Sequence, residues 1–217
     1  MNNYLGVKSK RKLLLSFSCL FLFFCAGCGS NFDTTTLVFE KNGDIKQYVV
    51  EDFDTAVYSI DELNDFNNKQ VNELNSKKGE VVVTIDKSEV VNNKTNIVMT
   101  YKDNSSYYDL NSKVIYYGTA NGAKNAGYGL SNKVKSIENE MTLTVDEWSD
   151  MTDEKVIIVS EYVNIKTPSK ILYVSDGVTI NDSDEATING DSIRYIICKW
   201  FIRSKHGKDN GKNRCSR

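Results

Sequence analysis

Between residues 155 and 197 the apolar residues come in short bursts, at 156–159, 171–174, 178–180, 186–188 and 193–197. A helix needs a longer periodic run, whereas a strand needs only four to eight residues. Turn formers divide the bursts: Pro168 with Ser169, Asp176 with Gly177, and Asn189, Gly190 and Asp191. Short strands at such spacing predict a mostly β C-terminal half. Pro168 is the one proline in the chain, so little else interrupts the pattern.

The N-terminal half carries a different mixture. Residues 34–40 alternate, with Leu37 and Phe39 on one face and Val38 on the other. Lys41, Asn42, Gly43 and Asp44 follow, and residues 45–51 return; Asn-Gly between two apolar runs predicts a hairpin. Ser59 with Glu62 has the form of a capping box and opens a helix over 59–77. Ile60, Leu63, Phe66, Val71 and Leu74 give that helix an apolar stripe. Lys77 and Lys78 suit its negative end, and Gly79 stops it. Strands are expected over 80–86, with Val81, Val83 and Ile85 on one side, and over 93–102, with Ile97, Met99 and Tyr101 aligned. After Tyr107, Tyr108 and Leu110 comes the apolar run 114–117, and Thr119 caps a short helix over 120–126 that Gly127 ends. Residues 128–154 are polar, with a strand at 141–145. The expected fold class is α+β: an N-terminal antiparallel sheet with one crossing helix, then a mostly β half of short strands.

Ahead of this body lies a leader. Lys8, Lys10, Arg11 and Lys12 precede residues 13–27, which carry no charge, and Cys28 closes the run. A basic stub, a short apolar core and small residues at the end are the parts of a secretory signal. The apolar run is shorter than the roughly 20 residues of a membrane-spanning helix.

Cys25, Ala26, Gly27 and Cys28 resemble the lipobox of bacterial lipoproteins, with Cys25 where that family prefers Leu. The resemblance implies cleavage before Cys28 and a diacylglyceryl thioether on its sulfur. Cys28 is then the lipid-attachment residue and the membrane a partner through that lipid. Residues 28–33 become a tether.

Four of the 27 basic residues and none of the 29 acidic ones fall in the leader. Residues 199–217 hold Lys199, Arg203, Lys205, Lys208, Lys212, Arg214 and Arg217 against Asp209. The stretch 28–198 is therefore strongly acidic, with net charge of about −12. Such a body argues against nucleic acid as partner, because phosphate binding requires a basic face. The tail 200–217 begins with Trp200, Phe201 and Ile202; it is expected to be disordered or to fold back on an anionic membrane. Of five cysteines, Cys198 and Cys215 remain once Cys19, Cys25 and Cys28 are accounted for. Two cysteines leave pairing open and make no disulfide framework.

Residues for catalysis are sparse. The one histidine, His206, lies in the tail, away from any expected pocket, so a Ser–His or Cys–His pair is not indicated. There is no C-x-x-C, and Gly122, Gly127 and Gly129 do not have phosphate-loop spacing. Asp182, Asp184, Glu185 and Asp191 form an acidic cluster with oxygen ligands for Ca²⁺, though a solvated loop is the preferred reading. Asp52 and Asp54 flank Phe53 and suit the capping of backbone amides. The six tyrosines from Tyr101 to Tyr128 read as core aromatics before a sugar-binding platform. No catalytic, cofactor or metal site is assigned.

The hairpin, VVEDFD, the capped helix, YYGTANGAKNAGY and the segments KVIIVSE, PSKILYVSDGVTI and YIICK resemble small Gram-positive surface lipoproteins over residues 34–199. The resemblance brings no assigned activity with it. Members of the group stop near the position of Lys199, which makes the tail an addition. The expected organisation is signal peptide 1–27, tether 28–33, extracellular domain 34–199 with a possible subdivision near 128–154, and basic tail 200–217. The expected function is a membrane-anchored, extracytoplasmic, non-catalytic module that binds an envelope protein, a peptide or a glycan. The alternatives are a carboxylate-based hydrolase of cell-wall or extracellular polymer and a small solute-binding subunit of a transporter.

Overall fold

The computed structural model describes residues 32–128, 133–151 and 154–199. It opens on the hairpin of β1 (Thr36–Phe39) and β2 (Ile45–Val49). Leu37, Phe39 and Ile45 are buried together, as their alternation requires. The connecting loop is longer than a two-residue turn: Glu40 N donates to Asp44 O at 2.9 Å. Gly43 takes φ 103°, which a side chain would resist.

Helix α1 (Ile60–Lys78) starts where Ser59 Oγ accepts from Glu62 N and ends at Gly79 in the left-handed region. Val71 and Leu74 are buried, but Phe66 is not part of the stripe and stands exposed. At 3.6 residues per turn it falls roughly a third of a turn from the middle of the Val71 and Leu74 face.

The next strand begins later than the sequence suggests. β3 (Val83–Val91) pairs with β4 (Lys94–Tyr101) through a tight turn in which Asn92 and Asn93 both have positive φ. Val81 is 57 % exposed, whereas Val82 and Val83 are both buried. Alternation fails there because the Asn75 side chain pins the join, accepting from Val82 N and Val83 N and donating to Val83 O. Along β4, Ile97, Met99 and Tyr101 are buried as expected.

Helix α2 (Asn104–Asn111) is opened by a capping box between Asp103 and Ser106. Then come β5 (Ile115–Gly118) and α3 (Ala120–Asn125), whose cap Thr119 Oγ1 accepts from Gly122 N at 3.1 Å. β6 (Val134–Ser136) and β7 (Thr142–Leu143) form a small hairpin. The strand expected at 141–145 thus shrinks to two residues. Thr144 N donates to Glu147 Oε2 and opens α4 (Val145–Ser149) instead. The remaining elements are β8 (Glu154–Val159), β9 (Val163–Lys166), β10 (Ile171–Ser175), β11 (Val178–Asp182), β12 (Glu185–Ile188) and β13 (Arg194–Lys199).

The fold is α+β and rich in sheet. Sheet A has the order β11-β12-β9-β1-β2-β4-β3 and sheet B the order β5-β8-β13-β10-β6-β7. The sheets are not successive halves of the chain. β9, β11 and β12 complete the sheet that β1 to β4 begin, and β5 from the first half joins sheet B. β1 and β9 are parallel, while every other pair given for the named strands is antiparallel.

One core lies between the sheets and takes Leu37, Ile97 and Ile165 from sheet A and Ile157, Ile171 and Ile196 from sheet B. Val71 and Leu74 of α1 and Tyr107 of α2 belong to it. A second core sits on the other face of sheet B, where Val156, Ile158, Tyr195 and Ile197 meet Ala120, Ala123 and Trp148. β8 and β13 are therefore buried on both faces, and this is why they read as unbroken apolar runs. Among the described residues, no helix is long and apolar enough to cross a membrane.

Candidate functional site

The tyrosines separate first. Tyr101 and Tyr107 are fully buried, with ring centroids 4.9 Å apart and edge to face. Tyr101 Oη donates to Gln47 Oε1 at 2.7 Å, and Asn111 Nδ2 donates to Tyr101 Oη at 3.1 Å. Burial pushes the Tyr101 phenol up to about 12. Tyr116 is also buried, and Tyr128 Oη donates to Ile115 O at 2.8 Å. Tyr108 alone among the six is largely exposed, so they do not form one surface platform.

Tyr107 Oη donates to Glu161 Oε1 at 2.6 Å, a part-buried, charge-assisted bond. Burial raises the Glu161 carboxyl above the ordinary glutamate range; the Tyr107 bond and Lys113 act against this, and the Asp191 carboxylate adds to it. The folded chain thus holds the proton more tightly than the unfolded chain. The stability contributed by that proton is present at low pH and is lost as pH rises through the raised value. Glu161→Gln is expected to raise the melting temperature at pH 7 and to leave it nearly unchanged near pH 4. A lower melting temperature at pH 7 contradicts this.

The acidic cluster of the β11–β12 turn does not converge on a cation. Lys166 Nζ already lies 3.0 Å from Asp184 Oδ1 and 2.8 Å from Glu185 Oε1. The Asp182 carboxylate accepts from Ser183 N, and Asp191 lies beyond β12. Among the described residues, no group of three or more His, Cys, Asp or Glu is placed to hold a metal. Asp54 caps locally, its Oδ1 accepting from Ala56 N at 2.9 Å, and Asp52 forms a backbone bridge with Lys94. Cys198 is a free, fully buried thiol pushed up to about 11 by burial. Cys28, His206, Cys215 and the tail lie outside the described residues.

Among the described residues, two surface grooves stand out. One, of about 710 Å³, lies on the outer face of sheet A beside the hairpin loop and is lined by Val38, Glu40, Lys46, Lys166, Pro168 and Asp184. Its lysines at 46 and 166 face carboxylates of their own chain, Lys46 at 4.0 Å from Glu40. The other, of about 480 Å³, lies where the chain enters α1, between Phe53, Val57, Tyr58, Ile60, Glu62 and Val90. Here several apolar side chains are exposed. Val57 is 67 % and Tyr58 62 % exposed, and Phe66 is 60 % exposed, one turn beyond Glu62. Phe53 is buried beneath, its ring centroid 5.9 Å from that of Tyr58. Clustered exposed apolar side chains mark an interaction surface more often than scattered ones do.

The sequence stripe pointed at Phe66 but assigned it to the core. Asp52 and Asp54 carry a capping signal in the sequence but none for the groove, and Val57 and Tyr58 belong to no periodic pattern. Glu161 carries a weaker signal, a carboxylate two residues past the end of a strand that is buried on both faces. Comparison of the chain with models of protein families, with characterised proteins and with solved structures gives no match.

Proposed function

We propose that the chain is a lipid-anchored protein of the outer face of the cell membrane, and that its body is a non-catalytic binding module for an envelope partner. Ala26, Gly27 and Cys28 at the end of a short apolar leader carry the reading. Two acyl chains on one cysteine hold a protein stably at a bilayer, where one chain holds it only marginally. The acidic body then stands away from anionic lipid, open to solvent and to partners. The uncovered apolar residues at the start of α1 favour binding over catalysis as its task.

Protease added to intact cells tests the orientation. The body is expected to be degraded without lysis, at a rate close to that in lysed cells. Protection until lysis would place the body inside and end the proposal.

A further inference from the structure

The groove at the entry to α1 combines uncovered apolar side chains with one sign of charge. Glu62 lines the groove, and the chain that forms it also carries exposed carboxylates at Glu51, Asp52, Asp54, Asp61 and Asp65. No lysine or arginine occurs between Lys46 and Lys69. A backbone bridge brings Lys94 beside Asp52. The volume of about 480 Å³ lies within the roughly 300–1,000 Å³ usual for sites that seat ligand groups.

We propose that this groove docks a basic, amphipathic segment of another protein. Apolar side chains of the segment enter beside Tyr58 and Val90, over Phe53, and its lysines or arginines meet the carboxylates of the rim. The proposal deepens the binding-module reading and rests on it. Opposite charge at the rim steers encounter and selects the partner, while the apolar anchors supply most of the affinity.

Two other occupants fit less well. A second copy brings the same acidic face, and like charges oppose that contact. The tail of this chain continues from Lys199, whose N donates to Lys170 O. Lys170 lies just beyond β9, whose Lys166 pairs in register with Val38 near the hairpin loop. The groove borders the opposite end of sheet A, where Phe53 N donates to Asn93 O. Lys199, the last described residue, therefore lies at the far end of the sheets from the groove.

The test uses the full chain in nanodiscs of phosphatidylcholine, with empty nanodiscs as reference. The probes are a 12-residue peptide of Lys and Leu at helical spacing, its Glu and Leu counterpart, and its Lys and Ser counterpart. The Lys and Leu peptide is expected to bind and to slow amide exchange over residues 53–66. Tyr58→Ser combined with Phe66→Ser alters exposed side chains alone and is expected to weaken binding at least tenfold. Asp61→Asn combined with Asp65→Asn is expected to weaken it severalfold and to flatten its salt dependence. Equal binding of the Glu and Leu or the Lys and Ser peptide overturns the proposal, as does unchanged affinity in both variants. Protection of the groove without peptide, lost on dilution or on deletion of residues 200–217, overturns it in favour of a second copy or the tail. These readouts do not depend on where Cys28 is processed, so failure here is distinct from failure of the anchor.

Discussion

Trp148→Ala is expected to destabilise the fold by about 3–5 kcal/mol, the usual cost of removing a fully buried large aromatic. Trp148 is 0 % exposed and belongs to the core on the outer side of sheet B. Its ring centroid lies 5.4 Å from that of Tyr195, with the rings tilted at 57°. Helix α4 has five residues, too few to be stable by itself, so its place depends on what it buries. Losing the indole leaves a cavity against Tyr195, Ile158 and Ile197, which the short α3 and α4 segments can close only in part. A domain of this size is stable by about 5–15 kcal/mol, so the variant loses a large share of the total. Chemical denaturation followed by tryptophan-independent circular dichroism measures it. A loss under about 1 kcal/mol would mean that α4 does not anchor through this side chain.

The same core shows what was legible in the sequence. The bursts at 156–159 and 193–197 announced strands, and burial on both faces explains their unbroken apolar character. The hairpin, α1 and β4 were legible because a period and a cap or turn agreed at each. Helix α2 was not. Asn104, Ser105 and Ser106 favour turns and caps over helix interiors, and the helix is held by the Asp103 cap and by Tyr107 seated on Tyr101. Strand β9 was also missed: it offers two apolar residues, and its parallel pairing with β1 spans well over a hundred residues of chain. No local pattern records such a partner. The groove at α1 was half legible. Helical geometry alone sets Phe66 off the buried face, but the exposure of Val57 and Tyr58 depends on how the loop from Glu51 to Ser59 folds over Phe53.

Cys28→Ala is expected to shift the protein from nearly all membrane-held to mostly released. At about 0.8 kcal/mol per buried methylene, two long acyl chains contribute on the order of 20 kcal/mol of attachment. What remains in the variant is the apolar run of residues 13–27, short of the roughly 20 residues that span a bilayer. Fractionation of cells carrying the variant, with the folded body checked by its melting curve, reads the effect. A variant held in the membrane as firmly as the parent chain would remove the lipid from the account. Failure of Trp148→Ala and failure of Cys28→Ala are independent, since one reports on the body and the other on the tether.

The most direct measurement is the intact mass of the protein extracted from membranes. The account predicts a chain that begins at Cys28, lacks residues 1–27 and carries the added mass of a diacylglyceryl group on that cysteine. A chain recovered from the cytosol with Met1 in place and Cys28 unmodified would contradict it.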